Sequence, residues 1–353
     1  PPARRARPGC PERRHRHSAR AWRSRADGGR RPAVPTAPRP QQRPDDRAHR
    51  RRAAEVRAPR AHVVPRSWTS GVRLRCRPYR CGVTDARIAR QFVTLTFLIA
   101  YGLSGGLIVA ARFGYEVNNV VTTVPELLAN VPFALYILSP AIASYVVLRA
   151  NRRVSGLREW LWLVFAVRGR PAGFLLALSA LALYFALHLL VSGPSAHALP
   201  WFMFFLSLPG NLVIGGMEEA GWMTALQPGL DRRWGFVPSS LVVGIVWLLW
   251  HVPLFFIPGT NHESGQIDFW MFAVQVMAFR FLYGAIFRVA GTNGVLLCIL
   301  THTVFNAASF TLGIPPTTWA GTLAANTGVV ILALVSVMLS QRAQTARRWR
   351  VAP

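Results

Sequence analysis

Three short stretches of this 353-residue chain place residues suited to acid–base chemistry inside apolar surroundings. The first is GGMEEAGWM, with Glu218 and Glu219 adjacent. The second is VWLLWHVP, in which Trp247 and His251 are four apart. The third is LTHTVFN, in which His302 and Asn306 are four apart. Residues at i and i+4 share one face of a helix, so His302 and Asn306 point the same way. A buried glutamate can serve as a general base, taking a proton from water as that water attacks a carbonyl. Neutral imidazoles and an amide can orient the water or donate to the developing oxyanion. Two histidines and one glutamate, here Glu218, His251 and His302, can also hold zinc with one position open. The chain has no H-E-x-x-H spacing, and asparagine is a poor zinc ligand, so hydrolysis is indicated while a metal stays open.

These residues need elements to carry them. A helix needs about 20 apolar residues to cross a bilayer. The sequence offers eight such runs, at 92–111, 131–148, 171–192, 199–217, 238–257, 269–287, 292–312 and 320–340. None alternates with period two, which argues against a barrel. The expected fold is all-α, a polytopic membrane bundle of about eight transmembrane helices preceded by a disordered basic tail. The expected segments are a tail at 1–90, a first transmembrane pair with an interfacial helix at 91–170, the core at 171–312, and a last helix with a basic C-terminus at 313–353. LREWLWLVFAV (157–167) is flanked by arginine and too short to cross, so it reads as the interfacial helix. Gly102 and Gly106 form a small-residue pair that could bring helices close.

Arginine positions orient the bundle. Arg149, Arg152, Arg153, Arg158, Arg168 and Arg170 follow the second run, Arg232 and Arg233 the fourth, and Arg288 the sixth. The opposite loops carry only Arg112. Both termini are then cytoplasmic, in a bacterial-type cytoplasmic membrane. His251 would lie about 20 Å from the cytoplasmic side, His302 about 15 Å and Asn306 about 21 Å, at 1.5 Å per residue. The glutamates converge with them only if the fourth helix continues past them towards Leu226, stopped by Pro228. We therefore expect that helix to be long.

The charge of the chain is divided. All 41 basic residues are arginine, and with 14 acidic residues they give +27. Residues 1–90 hold 26 arginines against 6 acidic residues, which is +20. Residues 91–353 hold the other 15 against 8, which is +7. A chain 52% hydrophobic and only 16% charged is not a single basic nucleic-acid-binding globule. The tail, rich in Arg and Pro, cannot bury enough apolar surface to order itself. It reads either as a polybasic arm touching anionic headgroups or nucleic acid, or as translated upstream DNA. The first methionine is Met203, and the second reading puts the start near Val83. Cys76 and Cys81 lack a second pair that would complete a metal site.

Ionisable groups inside a bilayer are costly and mark functional sites by default. A proton relay in a transporter is therefore an alternative function. No internal repeat supports it, and the polar clusters all lie in the second half. His188, alone in its run, reads as a packing histidine.

The three clusters together resemble the CPBP family, the CAAX-protease and bacteriocin-processing intramembrane proteases that include the type II CAAX prenyl endopeptidases and the Abi proteins. The family signatures are a double glutamate with arginine five positions after its first residue, Phe-x-x-x-His, and His-x-x-x-Asn/Asp. Here they read EEAGWM (218–223), WLLWH (247–251) and HTVFN (302–306), in the family's order. The resemblance spans roughly residues 170–312. It implies that Glu218 activates water with support from Glu219, and that His251, His302 and Asn306 position water or stabilise the oxyanion. It also implies the bilayer and a membrane-associated peptide or protein as partners, with no nucleic acid. Zinc stays open, since relatives are described both as metalloproteases and as glutamate-dependent. A non-catalytic relative that binds a peptide or confers bacteriocin immunity is a further alternative.

Two positions depart from the pattern. Trp247 replaces phenylalanine, an aromatic swap, and Met223 stands where the family has arginine. Arg280 could supply the missing charge by pairing with Glu219. The simpler expectation is that Arg280 snorkels to the cytoplasmic surface.

Overall fold

The computed structural model describes residues 81–117, 124–167, 169–291, 294–314 and 318–351. The described residues form helices and connecting turns, with no strand. The expectations for residues 1–80, including Cys10 and Cys76, lie outside them. The first helix, α1 (Cys81–Ala111), begins ahead of the boundary expected at residue 90. Residues 81–90 are therefore helix rather than tail, because Ile88 is buried and Asp85 forms ion pairs with Arg153 and Arg232.

After a short helix at Val124–Ala129 come α2 (Val131–Ile137), α3 (Ser139–Ala150), α4 (Leu157–Phe165) and α5 (Pro171–Ser192). The helices α6 (Met203–Asn211), α7 (Glu218–Gly221) and α8 (Gln227–Trp234) follow, and the first motif, residues 215–223, spans the break before α7, α7 itself and the turn after it. The helices α9 (Phe236–His251), α10 (Phe269–Ala290), α11 (Gly294–Leu312) and α12 (Trp319–Val351) complete the bundle. Among the described residues, six helices are long and apolar enough to cross a membrane: α1, α5, α9 with its 3₁₀ extension to Phe256, α10, α11 and α12. The pair α2–α3, bent by 57°, makes a seventh if it is one span. Pro140 in the first turn of α3 explains the bend, since proline supplies no N–H and its ring crowds the preceding turn.

The run at 199–217 is not one straight helix. Ile214 (φ −98°, ψ 81°) and Gly215 (φ 131°, ψ −73°) break it just before the glutamates. Downstream the expectation of a long helix holds. From Glu218 the helix runs through a π-turn at Trp222–Leu226 and on to Trp234. Pro228 does not stop it. The wider π-turn precedes the proline, where the ordinary i→i−4 ladder would lack a donor.

Close backbone packing holds α7 in place. A Cβ on Gly221 would overlap the Pro140 carbonyl of α3, and one on Gly216 would overlap Thr303 of α11. The loop ends carrying Arg153, Arg232 and Arg288 meet at one end of the bundle, around Asp85 and Asp231. By contrast, Gly102 and Gly106 face open space, so that pair brings no helices together. These two environments give a first test. Gly221→Ala is expected to destabilise the detergent-solubilised protein by about 1–3 kcal/mol through overpacking. Gly102→Ala should leave the melting temperature unchanged or raise it slightly. Equal melting temperatures for the two variants would refute the crossing at Gly221.

Candidate active site

The π-turn and the break at Gly215 frame a four-residue helix that turns both glutamates inward. Glu218 is 3% exposed and Glu219 is fully buried. Adjacent residues on a helix diverge by about 100°, and the two carboxylates meet different partners. Glu218 Oε2 accepts a 2.8 Å hydrogen bond from the indole Nε1–H of Trp247. His251 Nε2 lies 4.0 Å from the same oxygen. His251 donates Nδ1–H to the Trp247 carbonyl at 2.8 Å, which leaves Nε2 as the free ring nitrogen facing Glu218.

Glu219 Oε1 is bonded to Arg280 Nη2 and also accepts from His302 Nδ1 at 3.3 Å. Arg280 does not snorkel. It is wholly buried, with its guanidinium carbon 4.1 Å from the Trp247 ring centre and 4.8 Å from that of Tyr283. Snorkelling requires an open path for the side chain to the surface, and these two rings with Glu219 hold it inside. The Tyr283 ring stacks on His302 at 5.5 Å, and His302 meets Trp247 edge-on at 5.7 Å. Met223, at the position of the family arginine, is buried and apolar.

Asn306 sits one turn beyond His302, where its amide packs over the Cα of Gly215. A side chain at residue 215 would occupy the space of that amide, and its positive φ favours glycine in any case. The structure thus gathers Glu218, Trp247 and His251 into one group and Glu219, Arg280 and His302 into a second, with Asn306 beside the second. His188 stays apart, against Tyr184. Sequence reasoning did not identify Gly215 or Tyr283. A glycine pair just ahead of the glutamates was the available signal for the first. Nothing in the sequence marked Tyr283.

The residues do not fit the zinc set Glu218, His251 and His302. His302 is bound to the other glutamate, and the indole N–H covers one Glu218 oxygen. No group of three His, Cys, Asp or Glu among the described residues converges on a common point. The Arg280 guanidinium already supplies a cation beside Glu219.

Residues 198–308 match the family model of the type II CAAX prenyl endopeptidases, Rce1-like. This site lies in an Rce1-like core. The match includes all three motifs, both glutamates and Arg280. No curated protein matches the chain. The segment similar to these endopeptidases is part of an integral membrane protein.

Proposed function

We propose that this protein is an intramembrane endopeptidase in which Glu218 activates the attacking water. The observation that carries this reading is the unequal treatment of two adjacent buried glutamates. Glu219 is engaged by Arg280 and His302, whereas Glu218 is bonded to no cation: the Trp247 indole donates to it, the Trp222 indole lies beside it, and a free imidazole nitrogen faces it. A site with one neutralised carboxylate and one open carboxylate suits general-base hydrolysis.

In the reaction, Glu218 takes a proton from water as the water oxygen bonds to the peptide carbonyl carbon. The carbonyl π pair moves onto its oxygen, which the Asn306 amide N–H stabilises, while the unprotonated Nε2 atoms of His251 and His302 can accept from the water and so orient it. The tetrahedral centre collapses, the C–N bond breaks, and the proton on Glu218 passes to the departing amine. Glu219 holds His302 in place. Arg280 stands in for the cation missing at Met223, which supports the catalytic reading over a non-catalytic relative.

The substrate we infer is a peptide or protein held at the bilayer. The CAAX prenyl substrate in the family description is one such class. The arginine-rich loops, which meet at one end of the bundle, favour a bacterial-type cytoplasmic membrane with both termini inside.

The test is cleavage of fluorogenic membrane-anchored peptides by protein in liposomes, run in heavy-oxygen water. One heavy oxygen should enter each new carboxylate. His251→Ala should lower kcat by about 10²–10⁴-fold. Peptide binding without cleavage would make the protein a binding or immunity relative instead. Proton-coupled flux without cleavage would make it a transporter.

A further inference from the structure

We propose that Trp247 is a positioning residue that assigns the two glutamates their different tasks through opposite parts of one side chain. The proposal rests on the reading of Glu218 as the base. Read from sequence, Trp247 is an aromatic swap for phenylalanine. The geometry gives it more than an aromatic surface. Its Nε1–H reaches Glu218 Oε2 at 2.8 Å in a buried setting. An indole N–H can only donate, so it fixes that oxygen as an acceptor and sets the orientation of the carboxylate. Its ring face seats Arg280, whose guanidinium binds Glu219. A desolvated cation over an indole face is among the stronger contacts of its kind. Its backbone carbonyl takes the Nδ1–H of His251, which turns Nε2 towards Glu218. Arg280 and His251 are reached through the ring face and the carbonyl, which phenylalanine would also provide. The hold on Glu218 needs the indole nitrogen.

The experiment separates these parts. Trp247→Phe keeps a ring face and removes the N–H. Benzothienylalanine at position 247 keeps the bicyclic shape and replaces the N–H by sulfur, so it reports on the bond even if the phenylalanine variant fails to fold. Both should lower kcat about 10- to 100-fold, the effect of losing a hydrogen bond to a charged group. KM should change less than about threefold, because the loss falls on the chemical step. Both should also move the acid limb of the pH–rate profile, which packing alone would not do. Trp247→Leu, which removes the ring face as well, should melt below either. Glu218→Gln serves as the control. If that control is inactive while the benzothienylalanine protein keeps wild-type kcat and pH profile, the proposal is overturned and the general-base reading stands. If Glu218→Gln cleaves like wild type, the base assignment fails and this proposal fails with it.

Discussion

Glu218→Gln is expected to lower the rate of peptide cleavage by at least about 10³-fold, or about 4 kcal/mol of transition-state stabilisation. The substitution is close to isosteric. The amide oxygen can still accept from the Trp247 N–H, so the packing around residue 218 and the melting temperature should be kept. What disappears is the ability to take a proton from water. Initial rates on a membrane-anchored peptide, measured beside thermal melts, check this. Cleavage within tenfold of wild type would remove Glu218 from the chemistry.

The second large effect concerns the buried pair. Arg280→Met is expected to destabilise the protein by about 3–5 kcal/mol, the usual result of leaving one buried charge without its partner. Glu219 is fully buried, and only His302 would remain on its Oε1. The control is Glu219→Gln combined with Arg280→Met. Removing both charges should restore most of the melting temperature, because a buried pair is worth little against a neutral replacement. Activity should stay low in the double variant, since His302 loses the carboxylate that orients it. If Arg280→Met alone melts like wild type, the guanidinium is not needed to hold Glu219 in the fold.

The helices were legible because long apolar runs are hard to mistake, and the long helix after the glutamates followed from requiring their depths to agree. The break at Gly215 was not legible. A glycine pair inside an apolar run looks like close helix packing, and only the amide of Asn306 pressing on Gly215 shows that the chain must turn there. Arg280 was ambiguous for a related reason. Its distance along α10 is compatible with reaching the surface or the site, and the choice depends on neighbours from other helices. Trp247 was undervalued because a substitution table compares rings, whereas its partner, Glu218, accepts from the ring nitrogen.

The break at Ile214–Gly215 has a mechanical consequence. The helix α6 before it has no buried residue. Had the run at 199–217 continued straight into Glu218, any tilt of α6 in the lipid would have acted as a lever arm on the carboxylates. With non-helical dihedrals at the joint, torque from α6 is not carried through a continuous backbone ladder. The glutamates are instead anchored downstream, by Gly221 against α3 and by the ion pairs of Arg232 and Asp231 at the far end of the same helix. The orientation of α6 therefore reaches the glutamates through its side-chain packing on α11 rather than along the chain.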